Sequence, residues 1–295
     1  MDVEMKIQEP INRVTRKQKL KNYSKHPGSF LLALLTKLAI LLTVLALGFI
    51  LIYILVKGIP NLSTDLFALK YTTENVSMLP AIINTLIITL LSLCIAGPIG
   101  IFSAIYLVEY AKKGNKLVEV VRVTAETLTG IPSIVYGLFG MLFFVTTLKC
   151  GYSLLAGALT LSIMVLPVIM RTTEEALLAV PNSFREGSFG LGAGKLRTIF
   201  KIVLPSAVPG ILAGVILAIG RIVGETAALI YTAGTVAEIP SSIMSSGRTL
   251  AIHMYSLSKE GLYTNQAYAT AVVLLIVVVL INMLSNFVAK KFTKK

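Results

Sequence analysis

The chain contains six apolar segments, each long enough to cross a lipid bilayer as a helix. About 20 mostly apolar residues are needed to span the hydrocarbon core. Backbone polar groups inside lipid must be hydrogen-bonded within the segment, which favours helices over other structures. The sequence therefore predicts an all-α, polytopic membrane protein with six transmembrane helices. The predicted spans are Phe30–Val56, Leu79–Val108, Thr127–Leu148, Tyr152–Met170, Ser206–Ala233 and Ala267–Ala289.

Charge separates the two sides of the predicted membrane. Hydrophobic residues make up 55% of the chain and charged residues only 14%, which argues against a soluble enzyme. With a cytoplasmic N-terminus, most of the 27 Lys and Arg residues fall on cytoplasmic segments, including the tails 1–29 and 290–295, and few fall on external ones such as 57–78. This bias predicts an inner-membrane protein with both termini in the cytoplasm. The net charge of +13 is then a topology signal, not a sign of nucleic-acid binding.

The predicted cytoplasmic loop 171–205 is the most informative part of the five-helix core expected over 79–289. Pro181 interrupts a helical extension of span four, and Asn182 or Ser183 is a candidate N-cap for a new short helix that ends in a glycine run. A short projecting helix is suited to docking into a groove of a partner protein. The glycine run is not a Walker A sequence. No enzymatic activity is therefore predicted for this chain, and no cofactor or metal site.

The same loop resembles the EAA loop of ABC-importer membrane subunits. The residues that carry the resemblance are Glu186, Gly187, Ser188, Gly192, Leu204 and Pro205. It implies the MetI-like type I importer permease fold, and a coupling helix that meets a separate ATP-binding subunit, which would bind ATP and magnesium. The usual Glu-Ala-Ala is here Glu-Gly-Ser, and glycine weakens a helix by roughly 1 kcal/mol relative to alanine.

Three further segments resemble signatures of phosphate importers. They are Gly130–Gly140, Arg171–Leu177 and Gly220–Ala227. Within that family, Arg171–Leu177 and the preceding Leu155–Leu161 resemble the PstA-type permease subunit. The resemblance implies translocation of inorganic phosphate, together with a homologous PstC-type permease subunit, a dimer of ATP-binding subunits and an external phosphate-binding protein. Two alternatives stay open: an ABC permease for another oxyanion or solute, and a stand-alone secondary transporter.

Two charged residues are expected within span five. Arg221 lies about midway along the predicted span, and Glu225 follows four residues later, on the same helical face. Charges at such depth cost at least ~2.5 kcal/mol each on insertion scales, so they are candidates for a substrate pathway. We expect Arg221 to bind phosphate oxygens and Glu225 to hold Arg221 when the anion is absent. The alternative is an ion pair that only neutralises itself.

Two weaker candidates lie near the predicted membrane boundaries. Arg171, at the cytoplasmic end of span four, could receive the exiting anion, although a boundary arginine that contacts lipid headgroups is the commoner case. The external segment 234–266 is longer than a turn and would suit an interfacial helix that contacts an external binding protein.

Overall fold

The computed structural model describes residues 27–112 and 114–293, with side chains as far as residue 287. All regular structure in these ranges is helical. Of the predicted tails 1–29 and 290–295, residues 1–26 and 294–295 lie outside the described residues. The α-helices are α1 Pro27–Gly58, α2 Leu79–Ile105, α3 Lys116–Thr129, α4 Ser133–Gly140, α5 Leu154–Leu178, α6 Asn182–Gly190, α7 Lys195–Thr198, α8 Leu204–Val223, α9 Ala227–Ile230, α10 Leu250–Glu260 and α11 Thr264–Thr293.

Within the described residues, five helical stretches are long and apolar enough to cross a membrane, and a bent helix pair raises the number to six. The all-α, multi-span prediction is thereby confirmed. Several stretches join neighbouring elements through π-helical turns, at Tyr106–Tyr110 after α2 and at Ile199–Val203 between α7 and α8. The five stretches are Pro27–Asn61, Leu79–Tyr110, Leu154–Leu178, Lys195–Val223 and Thr264–Phe287.

Helix α1 exposes apolar side chains around most of its circumference. Its bounds, Pro27–Gly58, enclose the predicted span Phe30–Val56. A helix that is apolar on all sides is typical of a membrane span, because its apolar side chains are solvated favourably by lipid and unfavourably by water.

The third predicted span is not one straight helix. The structure divides Thr127–Leu148 between α3, which already begins at Lys116, and α4 with its π-helical continuation Met141–Thr147; the two halves are bent by 104°. Pro132 causes the break, since it lacks a backbone N–H and restricts the residue before it. The Tyr136 hydroxyl donates to the carbonyl of Leu128, 2.7 Å away, across the bend.

The centre of the bundle is built from α2, α5 and α8, and α8 also packs against α11. Side chains such as Ile88, Leu161 and Met164 are almost completely buried there. A Cβ atom on Gly214 of α8 would overlap the side chain of Thr172 of α5, so only glycine permits this approach. Close packing of α5 and α8 brings the candidate residues of both helices onto one side of the bundle.

The segment 234–266 carries a buried polar cluster that was not anticipated. It contains the helix α10 (Leu250–Glu260); Arg248, just before this helix, and His253, within it, are both buried. The Arg248 guanidinium lies 4.6 Å from the centre of the Tyr71 ring, which His253 meets edge-on. Burial lowers the pKa of His253 to about 3, helped by the charge of Arg248 and opposed by the backbone of Val76.

Candidate functional site

Arg221 faces an open-sided cavity of about 520 Å³. It lies in the last turn of α8, which ends at Val223, and not midway along a span as the sequence suggested. Arg221 forms no hydrogen bond or ion pair with any residue that the structure describes. Its guanidinium is thus available to a ligand in the cavity. The lining residues are Val168 of α5, Ile216, Leu217, Gly220 and Arg221 of α8, and Asn282 of α11.

Glu225 does not pair with Arg221. The helix ends at Val223 and the chain turns at Gly224, so the four-residue spacing no longer places the two side chains on one helical face. The buried Glu225 carboxylate instead accepts a hydrogen bond from the backbone N–H of Ala228 at 3.0 Å. This contact satisfies a free N–H at the start of α9. The expected Arg221–Glu225 ion pair is therefore wrong for this structure.

Arg171, unlike Arg221, forms ion pairs with carboxylates. Its Nε lies 3.1 Å from Glu175 Oε1, and its Nη1 lies 3.7 Å from Glu126 Oε1 on α3. Beside it, Arg122 of α3 contacts Glu174 of α5 at 2.6 Å. These residues line a second cavity of about 330 Å³. An anion that reaches Arg171 must compete with carboxylates already in place.

The short helix predicted in the loop is present as α6, Asn182–Gly190. Its start differs from expectation, since Asn182 is the first helical residue and no side chain caps the N-terminus. Its end follows a Schellman motif: Gly192 has φ +81°, its N–H donates to Phe189, and the N–H of Ala193 donates to Ser188. Glycine tolerates this left-handed conformation, which explains the position of Gly192 in the sequence.

The remaining loop residues divide into exposed and anchoring ones. Glu186 and Gly187 are exposed on α6, and a Cβ on Gly187 would meet open space. Ser188 is buried, and its hydroxyl lies 2.9 Å from that of Thr198 on α7. Leu204 and Pro205 begin α8; Leu204 packs into the core and Pro205 is exposed.

Arg185 is a functional candidate that sequence reasoning missed. Its Nη2 and Nε lie 2.7 and 3.0 Å from Glu109 Oε1, at the end of the span that begins with α2. Its guanidinium also donates to the carbonyls of Leu177 and Val180. The contact fixes α6 to two other parts of the bundle. The sequence carried no signal for it, because 76 residues separate Arg185 from Glu109.

Asn282 is the second missed residue. It is one of two polar side chains that line the Arg221 cavity, and its Oδ1 is buried without a hydrogen-bond partner among the described residues. A polar residue in the apolar run of α11 was visible in the sequence. Its position next to Arg221 follows only from the packing of α8 against α11.

A multi-span helical bundle with an arginine-lined cavity and a short helix in an exposed loop defines a membrane permease subunit. Residues 96–295 match the model of the family described as binding-protein-dependent transport system inner membrane component, and the chain belongs to this family of ABC-importer permeases. The sequence-based assignment to ABC importers is thereby confirmed.

Individual relatives agree with this assignment. The phosphate transport system permease protein PstA of Pasteurella multocida is 36% identical over 269 residues, which cover 87% of this chain and 92% of the relative. The probable ABC transporter permease YqgI of Bacillus subtilis is 32% identical over 261 residues, with coverages of 82% and 88%. A bacterial alginate ABC transporter, solved in complex with an alginate-pentasaccharide-bound periplasmic protein, matches with a TM-score of 0.66 and 17% identity, over 92% of this chain and 98% of that one.

Proposed function

We propose that this chain is the permease subunit of an ATP-driven importer of inorganic phosphate in the cytoplasmic membrane. The observation that carries the proposal is the guanidinium of Arg221, which faces an open-sided cavity and has no carboxylate partner among the described residues. A guanidinium fork matches two oxygens of a tetrahedral oxyanion. The relative from Pasteurella multocida carries the name of a phosphate transport permease, which favours phosphate as that oxyanion.

The composition of the cavity suits transport better than storage. Apart from Arg221 and Asn282, its lining consists of apolar residues and a glycine. A transported ion must bind well enough to enter and weakly enough to leave. Arg221 is the one cation among the described residues that line the cavity, so the attraction it provides is moderate.

The coupling role belongs to α6. Phe184, Phe189 and Leu191 are exposed in and beside this helix, close to a groove of about 580 Å³. Exposed apolar side chains of this kind indicate a protein contact. We assign the contact to a partner ATP-binding subunit, which binds ATP and magnesium. A Gly187→Arg substitution should abolish co-purification of that subunit, and retained assembly would contradict the assignment.

The complete importer would comprise this chain, a homologous PstC-type permease subunit, two ATP-binding subunits and an external phosphate-binding protein. Closure of the ATP-binding pair would move α6, and the two permease subunits would rock to expose the cavity to the outside. The termini of this chain would lie in the cytoplasm. The alginate transporter solved with its periplasmic protein supports this type of assembly.

The test is uptake by the complete importer in proteoliposomes with ATP inside. We expect radiolabelled phosphate uptake that depends on the binding protein and is not displaced by excess sulfate or molybdate. Uptake of sulfate or molybdate without phosphate would support the alternative of a permease for another oxyanion. Uptake without ATP or the partner subunits would indicate a secondary transporter and overturn the proposal.

A further inference from the structure

Asn282 of α11 is the one neutral polar side chain in the lining of the Arg221 cavity. The cavity is bounded by α5, α8 and α11, so Asn282 enters from a different helix than Arg221. An anion in this cavity would thus meet a charged donor on α8 and an amide on α11.

The amide of Asn282 has no structural use among the described residues. Its Oδ1 is buried and unpartnered, and the amide makes no hydrogen bond to a described residue. Buried polar atoms in proteins are hydrogen-bonded in the great majority of cases, and each exception calls for an explanation. A residue that only packed at this position would be expected to be apolar, as most of its neighbours in α11 are.

We propose that Asn282 contacts the translocated anion: its Nδ2 donates to an anionic oxygen, its Oδ1 accepts from the hydroxyl of a protonated phosphate, and Arg221 supplies the charge. This inference rests on the proposed function, and it assigns a second anion contact in the same cavity. The ligand class is a small tetrahedral oxyanion, inorganic phosphate in the first place.

A neutral amide is physically suited to this position. It replaces part of the water that the anion loses on entering an apolar cavity. It adds no positive charge, so the attraction remains that of one arginine and the anion can still leave. A second cation in the same place would bind the anion more tightly and slow its release.

The helix offers a matched control. Asn286 lies one turn further along α11, is exposed, and does not line the cavity. Replacing either asparagine by leucine makes the same chemical change on the same helix. Only the variant at position 282 removes a hydrogen-bonding group from the cavity.

The experiment uses the complete importer in proteoliposomes with radiolabelled phosphate. Asn282→Leu should lower kcat/KM for phosphate about tenfold, the effect of one lost hydrogen bond to a charged group. Asn286→Leu should remain within about twofold, as expected for a surface substitution. Subunit co-purification should be unchanged in both variants, since neither side chain is hydrogen-bonded to another residue in the part of the chain that the structure describes.

Two charged variants separate contact with the anion from packing. Asn282→Asp places a carboxylate in the cavity, where it can pair with Arg221 and repel the anion, so uptake should fall further than in Asn282→Leu. Asn282→Lys should lower KM and kcat together, because a second cation holds the anion. If Asn282 only packed, the three variants would differ in thermal stability or assembly, and KM for phosphate would not follow the charge at position 282.

The outcomes distinguish this inference from the function on which it rests. Wild-type importer without phosphate uptake would overturn the proposed function and this inference with it. Wild-type uptake of phosphate with equal activity of Asn282→Leu and Asn286→Leu would overturn this inference alone, and so would undiminished uptake by Asn282→Asp.

Discussion

Arg185 and Arg221 show how one residue type serves two purposes in the same bundle. Arg185 is mostly buried and surrounded by acceptors, with Glu109 Oε1 at 2.7 Å and the carbonyls of Leu177 and Val180 at 3.0 and 2.8 Å. Arg221 lines a cavity and has no acceptor among the described residues. The difference indicates that Arg185 stabilises the fold, whereas the guanidinium of Arg221 is free to contact a ligand in the cavity, as its proposed role requires.

Arg171 stands between these two cases. Its guanidinium is about half exposed and contacts Glu175 and Glu126. Exposed ion pairs contribute little stability, typically below about 1 kcal/mol. An incoming anion could therefore displace the carboxylates, and the exit role predicted for Arg171 stays a prediction.

The largest expected effect on stability is at Arg185. Arg185→Gln leaves Glu109 as a buried, unpaired carboxylate, which should lower the free energy of unfolding by about 3 kcal/mol. Thermal unfolding of the purified importer in detergent measures the loss. Arg197→Gln, at an exposed position on α7, is the control. An Arg185→Gln variant as stable as this control would contradict the structural role.

Glu109→Gln tests whether Arg185 and Glu109 stabilise the fold as a pair. The double variant Arg185→Gln, Glu109→Gln should be less destabilised than the sum of the single variants, because no charge remains unpaired. Additive losses would show that the two side chains act independently.

Arg221→Gln should have the opposite effect to Arg185→Gln: it should lower transport but not stability. Uptake of phosphate should fall about 100-fold, the effect of a lost bidentate charge-assisted contact, without loss of stability. Arg171→Gln should lower uptake less, since its guanidinium is shared with carboxylates. Proteoliposome uptake and thermal unfolding of each variant measure both quantities. Uptake that survives Arg221→Gln, with normal assembly and ATPase activity, would end the pathway role.

His253, unlike the three arginines, is a buried group that is neutral in the folded protein at pH 7. Its folded pKa of about 3 lies below the unfolded value near 6.5, so the unfolded chain takes up a proton first as the pH falls. The contribution of His253 to the free energy of unfolding is fully present above pH 6.5. It is lost as the pH falls towards 3, by at most about 1.4 kcal/mol per pH unit. The midpoint of thermal unfolding should fall between pH 7.5 and 5.5 in the wild type. It should fall less in His253→Gln, whose side chain cannot be protonated. An equal dependence of the unfolding midpoint on pH in both proteins would contradict a stabilising role of neutral His253.

The smallest expected effect concerns the end of α6, the helix that Arg185 anchors. Gly192→Ala forces a Cβ into a backbone with φ +81° and should cost about 1 kcal/mol. Gly190→Ala is the control, because Gly190 is helical and an added Cβ meets nothing within 4 Å. Unfolding midpoints should fall in the first variant and hold or rise in the second. Equal midpoints would mean that the Schellman motif adds no stability.

Local sequence patterns were reliable where local geometry decides the structure. The α6 helix and its glycine end were predicted, since Pro181 and Gly192 act on their own backbone. The Arg221–Glu225 pair was not formed, because the helix ends between the two residues. The bend at Pro132 was not predicted for a related reason: Thr127–Leu148 was expected to be one span, and the 104° angle depends on how α4 packs against α5 and α9.

The amino-acid sequence is sufficient to assign the class of this protein. Lipid requires long apolar helices, and such runs, the basic loops and the EAA-like residues can be read from neighbouring positions. Which polar groups meet depends on tertiary packing. Arg185 reaches Glu109 across 76 residues, and Asn282 shares a cavity with Arg221, because helices far apart in the chain pack together. Such contacts depend on the rotation and crossing of helices, which no local pattern encodes.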